Sequence, residues 1–223
     1  MSVNVTKFQQ LQDELGSSGT TLIAVSKTKP NEDIMALYSH GQRDFGENYV
    51  QELVAKAEAL PKDIRWHFIG HLQSNKIKYI AAFVHLIHGV DSMKLLEAIN
   101  KEGMKINKKI NCLLQVHIAQ EETKFGFDQQ EALEAAKKIF QGDLFSHVQV
   151  SGLMGMASFS DDADQVRKEF QALKKLFDSI QDLKGTPTTF DTLSMGMSGD
   201  YTIAIEEGSN MVRVGSLLFG ARN

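Results

Sequence analysis

The chain has 223 residues, 42% of them hydrophobic, and a formal net charge of −4, which suits one fairly large or two small globular domains. This charge excludes the basic footprint of a nucleic-acid-binding domain, and no apolar stretch approaches the roughly 18 residues of a membrane-spanning helix. One cysteine, Cys112, excludes an internal disulfide and fits a reducing compartment. Because residues 1–7 lack the apolar segment of a secretory signal, we expect a cytoplasmic protein without nucleic-acid or membrane partners.

Apolar, β-branched runs alternate with segments of helical periodicity along the whole chain. The opening segment has helical spacing from Val5 to Leu15 and predicts a helix that ends at Gly16. Eight runs rich in β-branched and aromatic residues then predict strands. These predicted strands are 21–27, 44–47, 65–69, 86–90, 110–118, 148–154, 189–194 and 211–218.

The segments between these strands carry apolar residues at the spacing of amphipathic helices. Asn31 is a candidate cap for the first of them, and Asp91 or Ser92 for the fourth. Asp128 and Glu131 have the spacing of a capping box. A short helix from Tyr201 to Glu207 is predicted before the last strand.

The order of these elements predicts the fold class. Strands that alternate with helices require parallel pairing and right-handed crossovers. Eight such units favour a closed (β/α)8 TIM barrel with an extra N-terminal helix; an open doubly wound sheet is the structural alternative. No Pro- or Ser-rich linker interrupts the chain, so a single domain over residues 1–223 is predicted.

Lys27 ends the first predicted strand, after an apolar run. Lysine is seldom buried, because removing an ammonium from water costs free energy. The same desolvation favours the neutral amine, which can form a Schiff base with a carbonyl compound. The alternative is that Lys27 only marks where a strand reaches the surface.

The loops after strands seven and eight of such barrels often bind a phosphate. Here both contain Gly-Ser pairs: Ser198 and its neighbours follow strand seven, and Gly215 with Ser216 lies in strand eight. Ser198 is predicted to cap the following helix, whose first amides would then favour an anion. Gly-Ser turns are common, so the prediction depends on the two loops together.

Arg213 alternates along strand eight with Val212 and Val214, so it lies on the opposite face from them. Pointing inward near the mouth, it could face a cofactor ring and keep a pyridine nitrogen unprotonated. The alternative is a rim arginine that pairs with Glu206 or Asp191. The residues by themselves leave both interpretations open.

Other polar residues cluster at the ends of predicted strands: Glu47 and Asn48 at the end of strand two, and His67 and His71 on either side of the end of strand three. No histidine pair has the helical spacing of a metal site. The acidic residues around Asp162 fit a helix N-terminus, where carboxylates complement the dipole. We therefore expect no metal.

Taken together, these strand ends resemble the pyridoxal phosphate homeostasis protein family, the proline synthetase co-transcribed homologue group, over nearly the whole chain. The matching stretches are AVSKTKP at 24–30, FGENYVQE at 45–52, WHFIGHLQSNK at 66–76, GLMGM at 152–156, LSMGMSGD at 193–200 and MVRVG at 211–215. The resemblance implies the barrel of the alanine racemase N-terminal domain.

By this resemblance, Lys27 carries pyridoxal 5′-phosphate (PLP) as an aldimine, and the neighbouring Lys29 does not. Three residues would hold the phosphate, partly through backbone amides, and three others would lie near the ring. The phosphate group is Ser198, Gly215 and Ser216; the ring group is Arg213 opposite the pyridine nitrogen, with Asn48 and His67. The family often has Thr in place of Ser216, which keeps the hydroxyl.

The resemblance also implies a function: a PLP carrier that takes part in intracellular PLP homeostasis, buffering and delivering the cofactor without turnover. PLP-dependent apoenzymes are possible recipients. The alternative is an amino-acid racemase, which needs a second base, a tyrosine supplied by a further domain of the partner subunit, on the opposite face of the cofactor. Here eight units occupy nearly the whole chain, so we expect no turnover, no catalytic residue and a monomer.

Two further possibilities stay open. A phosphate-sugar enzyme without the cofactor would use the same loops but would leave the Lys27 motif unexplained. A second lysine could accept the cofactor during transfer, with Lys76 and Lys124 as candidates.

Overall fold

A computed structural model describes residues 3–120, 125–142 and 144–220. Eight parallel strands form a closed barrel in which each strand pairs with the next and the eighth pairs with the first. The strands are β1 (Thr21–Val25), β2 (Asp44–Glu47), β3 (Arg65–Phe68), β4 (Leu86–Val90), β5 (Ile110–His117), β6 (Val148–Met156), β7 (Thr192–Met197) and β8 (Met211–Val214). The predicted TIM barrel is confirmed, and the open sheet is excluded.

Helices surround the barrel, and one of them precedes β1 as predicted. They are α1 (Val5–Ser18), α2 (Asn31–Tyr38), α3 (Val50–Ala59), α4 (Ile77–Ile80), α5 (Met93–Lys105), α6 (Gln129–Phe140), α7 (Ala163–Gln181), α8 (Tyr201–Glu206) and α9 (Ser216–Phe219), with a 3₁₀ turn at Ser74–Lys76 before α4. Among the described residues, no helix combines the length and apolarity needed to cross a membrane.

Helix ends follow the local chemistry with two corrections. Helix α1 passes through Gly16 and ends at Gly19, whose φ of 66° is the left-handed conformation that glycine adopts easily. Asn31 is the first residue of α2 instead of its cap, because Pro30 holds the cap position. The capping box of Asp128 and Glu131 is confirmed.

Several strand ends differ from the prediction, and three of the differences have a clear structural consequence or cause. Strand β1 ends at Val25, so Lys27 lies in the following turn. Strand β7 begins at Thr192, because the amide of Phe190 bonds to Pro187 O and closes a turn where the sequence predicted strand. Strand β8 ends at Val214, since the apolar residues 217–219 belong to α9.

The main apolar core lies between the strands and the helices, and it includes the buried Cys112. Burial raises the pKa of this thiol to about 12, as expected for a cysteine that acts as a small hydrophobic residue. A separate small cluster fills part of the barrel interior. Its buried members are Ile23, Leu86, Leu113, Met154 and Met211.

Candidate functional site

The turn that carries Lys27 lies at the carboxyl end of β1, the end where reactive groups of such barrels are found. Lys27 is partly buried there, and Thr28 has a φ of 62°, outside the usual range of a β-branched residue. The amide of Lys29 bonds to Ser26 O at 3.0 Å and closes the turn. Lys29 itself donates from Nζ to Phe219 O, so its amine is directed to α9.

A buried ion-pair network fixes both sides of this turn. Lys56 of α3 donates from Nζ to Ser26 O at 2.8 Å and to a carboxylate oxygen of Glu47 at 2.8 Å. The Ser26 hydroxyl donates to the same oxygen of Glu47 at 2.6 Å. Because Lys56 and Glu47 are both almost fully buried, the turn is attached to the rigid part of the barrel.

Glu52 of α3 extends this network to the far side of Lys27. One of its oxygens accepts both Lys56 Nζ and the amide of Thr28, each at 2.6 Å. Burial raises the pKa of Glu47, against the opposing effects of Lys56 and the Ser26 hydroxyl. The network therefore positions the turn of Lys27.

The loops after β7 and β8 meet at one hydrogen bond, from the amide of Gly215 to the Ser198 hydroxyl at 3.2 Å. The sequence predicted Ser198 as the cap of α8, and this prediction is wrong. Asp200 holds that position, and its carboxylate accepts the amide of Met197. Ser216 is exposed at the start of α9.

The end of β8 lies directly against the end of β1. Ala24 is in register with Val214, and a Cβ added to Gly215 would lie 3.3 Å from both Cβ and the carbonyl oxygen of Val25. A larger residue at 215 would press on the strand that leads to Lys27. The lysine turn and the two Gly-Ser loops are therefore neighbours at one side of the barrel mouth.

Arg213 points into the barrel interior and is 4% exposed. Its guanidinium donates to both the carbonyl and the hydroxyl of Ser194, at 2.9 and 2.7 Å, and to Gly155 O at 3.0 Å. Burial lowers the pKa of this guanidinium to about 10, against the opposing charge of Asp200. The inward orientation is confirmed over the rim alternative, since Glu206 pairs with Arg167 instead.

His67 also lies inside the barrel, 1% exposed, with both ring nitrogens engaged. Nε2 lies 3.0 Å from a carboxylate oxygen of Asp44, and Nδ1 lies 3.0 Å from Nε2 of His88. Nδ1 of His88 lies 3.2 Å from the Ser194 hydroxyl. His67 is thus connected to Arg213 through His88 and Ser194, and a direct contact of His67 with a bound ring stays a prediction.

Asn48 follows β2 at the mouth and is held by a close approach of backbone. A Cβ added to Gly70 would lie 2.4 Å from Asn48 O, so only glycine fits at position 70. Oδ1 of Asn48 is buried and accepts no hydrogen bond from any described residue. Buried acceptors are normally satisfied, so this atom indicates a missing partner such as a ligand.

One group of side chains has the spacing of metal ligands. Donor atoms of Asp44, His67 and His85 lie within 4.8 Å of one another. The Asp44 carboxylate is already bound by the Arg65 guanidinium, however, and a cation there disfavours a metal ion. Asp162 caps α7, accepting the amides of Asp164 and Gln165 as the acidic-terminus interpretation predicted.

Four residues of the two hydrogen-bond networks, one around the Lys27 turn and one around Arg213, were not predicted from the sequence: Lys56, Glu52, His88 and Ser194. Glu52 and Lys56 have the i, i+4 spacing of a helical ion pair, which is the signal that could have located them. His88 is a polar residue within an apolar strand. Ser194 contacts Arg213 only because of the pairing register of β7 and β8, which the sequence does not predict. Of the candidate second lysines, Lys76 lies beside the ring of Tyr79, and Lys124 lies outside the described residues.

A family model and a solved structure identify the class of fold to which the chain belongs. The profile of the family described as alanine racemase, N-terminal domain, matches residues 5–223. Alanine racemase of Bartonella henselae superposes with a TM-score of 0.74 over 99% of this chain and 60% of that chain, at 18% identity, which shows a shared fold alone.

Curated relatives and a further solved structure identify the family within this class of fold. The pyridoxal phosphate homeostasis protein of Schizosaccharomyces pombe is 39% identical over 96% of this chain and 89% of its own length, and that of Aquifex aeolicus is 41% identical over 93% and 89%. PipY of Synechococcus elongatus PCC7942 with PLP bound has a TM-score of 0.85 at 33% identity, covering 96% of this chain and 99% of that chain. The chain belongs to the pyridoxal phosphate homeostasis protein family, a branch of the alanine racemase N-terminal domain fold.

Proposed function

We propose that this chain binds PLP at the barrel mouth and takes part in PLP homeostasis by buffering and delivering the cofactor, without turnover. The observation that carries the proposal is the juxtaposition of the Lys27 turn with the contact between Ser198 and Gly215, beside the buried Arg213. An amine for the aldehyde, an anion-binding loop pair for the phosphate and an inward side chain beside the ring nitrogen fit a phosphorylated pyridine aldehyde.

The residues at the mouth fit this ligand. PLP contributes an aldehyde that forms a Schiff base with an amine, and we assign that amine to Lys27 Nζ. Ser198, Gly215 and Ser216 are assigned to the phosphate, because the first two already join their loops by a hydrogen bond. The unpartnered Oδ1 of Asn48 supports a polar contact with the ring substituents.

Arg213 would face the pyridine nitrogen. A guanidinium has only donors and stays protonated, even with a pKa lowered to about 10. Such a neighbour keeps a pyridine nitrogen unprotonated and weakens the ring as an electron sink. This favours holding the cofactor over using it for chemistry at an amino-acid substrate.

The positions of the tyrosines also favour a carrier over a racemase. Tyr38 donates its hydroxyl to Asp63 and Tyr201 to Glu14, so both are engaged away from the Lys27 turn. Tyr49 is 57% exposed at the start of α3, and Tyr79 is 51% exposed in α4. A racemase needs an acid–base group on each face of the bound amino acid, and these contacts supply no tyrosine for the second face.

The proposal also includes the domain organisation, localisation, oligomeric state and partners of the protein. We infer a single-domain cytoplasmic monomer whose partners are PLP and PLP-dependent apoenzymes that receive it. Delivery requires a reversible link to Lys27, because an irreversible one would remove PLP from the pool.

Absorbance spectroscopy tests the proposal. The purified protein, with PLP added, should develop a visible absorbance band that borohydride removes, and an apoenzyme should deplete it. With L-alanine in deuterated buffer, we expect no rapid exchange at Cα and no D-isomer. Failure to take up PLP would refute binding; rapid exchange would favour the racemase alternative.

A further inference from the structure

A continuous line of polar side chains crosses the interior of the barrel. It begins at Asp44, the first residue of β2, and continues through His67 of β3 and His88 of β4. It ends at Ser194 of β7 and Arg213 of β8. The four links measure 3.0, 3.0, 3.2 and 2.7 Å, and all five residues are buried.

The acidic end and the neutral rings together determine the direction of every hydrogen bond in this line. Arg213 can only donate, so the Ser194 hydroxyl accepts from it and keeps its own hydrogen and a second lone pair for the contact with Nδ1 of His88. An ionised Asp44 can only accept, so Nε2 of His67 must carry a hydrogen. Because a neutral ring carries one hydrogen, Nδ1 of His67 then accepts from Nε2 of His88, Nδ1 of His88 accepts from the Ser194 hydroxyl, and both rings have one tautomer.

The electrostatic surroundings agree with neutral rings. Burial lowers the pKa of His67, against the opposing effect of Asp44, and lowers that of His88 well below its usual value, with His67 and Arg213 adding to the fall. The charges of Arg65 and Asp44 face His67, and the ring of His85 lies 5.2 Å from it. Asp200 is the acid whose charge acts on Arg213.

We propose that Asp44, His67, His88 and Ser194 form one directional relay that orients the Arg213 guanidinium and so sets the electrostatics of the mouth. Asp44 is then a positioning residue that acts on the bound cofactor from the opposite end of the barrel. The effect on the cofactor rests on the proposed function, whereas the relay itself does not.

The first test uses the protein without cofactor. Histidine ¹⁵N spectra at pH 7 should show His67 and His88 neutral with the hydrogen on Nε2, assigned by His67→Gln and His88→Gln variants. A charged ring, or a hydrogen on Nδ1 of either, would overturn the relay. This measurement is independent of PLP, so the relay can be decided even where PLP uptake fails.

The second test is a double-mutant cycle read from the absorbance band of the PLP-loaded protein. Asp44→Asn keeps an acceptor oxygen but removes the charge that polarises the chain of hydrogen bonds, so the Ser194 oxygen carries less negative charge and the apparent pKa of the band should fall by about 0.5. The matched control is Asp63→Asn, because Asp63 also pairs with an arginine, Arg43, but lies outside the relay. We expect no shift from the control.

Cutting the relay at Ser194 should remove the sensitivity to Asp44. In a Ser194→Ala background, Asp44→Asn should shift the band by less than half as much, whereas Ser194→Thr, which keeps the hydroxyl, should restore the effect. Additive effects of the two substitutions, or equal shifts from Asp44→Asn and Asp63→Asn, would overturn the proposal. A merely structural role of Asp44 would not depend on the hydroxyl at 194.

Discussion

Lys56 Nζ lies 2.8 Å from the main-chain oxygen of Ser26, the residue immediately before Lys27. Through Glu52, the same ammonium is linked to the amide of Thr28, the residue immediately after it. The backbone on both sides of Lys27 is therefore bound to α3. Such a support holds a reactive side chain in place before its ligand arrives, which lowers the entropy lost on binding.

Replacing Lys56 by methionine should destabilise the fold strongly. The substitution keeps most of the apolar stem but leaves the buried carboxylate of Glu47 without its cation, which costs about 3 kcal/mol or more. Urea unfolding should therefore show a free energy of unfolding lower by that amount. Lys62→Met is the control, since Lys62 is exposed and caps the same helix; equal losses from the two variants would contradict the role assigned to Lys56.

Acid should weaken the protein through Asp44. Burial raises the pKa of this carboxyl, but hydrogen bonds from Arg65 and His67 and their charges outweigh burial and lower it from 3.8 to about 2. A folded-state pKa below the unfolded value stabilises the fold above pH 4, and this stability is lost as the pH falls from about 4 to 2.

The shift corresponds to about 2 kcal/mol at neutral pH. Unfolding free energies measured between pH 5 and pH 2 should therefore fall more steeply for the natural sequence than for Asp44→Asn, which has no carboxyl to titrate. Parallel pH curves for the two proteins would show that Asp44 is not the group responsible.

Ser198→Ala should weaken the binding of PLP but not that of pyridoxal. The hydroxyl that joins the two Gly-Ser loops is assigned to the phosphate, and a hydrogen bond to a charged group contributes about 1.5 kcal/mol, a tenfold change in Kd. Spectroscopic titration with both aldehydes measures the difference. An equal loss for PLP and pyridoxal would indicate that Ser198 only shapes the mouth.

The fold could be predicted from the sequence because its periodicity is a local property. The apolar runs and helical segments located all eight strands, and the capping box at Asp128 marked α6 to the residue. The errors fell where apolar or β-branched residues lie outside strands, as in the turn at 189–190 and in the short helix at 217–219. There, a backbone hydrogen bond such as Phe190 to Pro187 decides the structure, and composition does not.

The residues of the candidate site, like the elements of the fold, could be predicted only where their signal is local in the sequence. Lys27 and Arg213 could be found because each is a charged residue within an apolar strand or directly after one, and the Gly-Ser loops because of their place after β7 and β8. His88 and Ser194 could not, since they acquire their partners only through contacts between distant segments. Alternation along β4 predicts which face His88 lies on, but not that His67 and Ser194 meet it there.

The most direct test of the account is the position of the covalent link. The PLP-loaded protein is reduced with borohydride, digested and analysed by mass spectrometry. We predict one pyridoxyl group on Lys27, none on Lys29, and loss of the modification in Lys27→Ala but not in Lys29→Ala. A pyridoxyl group that persists at another lysine in Lys27→Ala, with unchanged PLP affinity, would contradict the account.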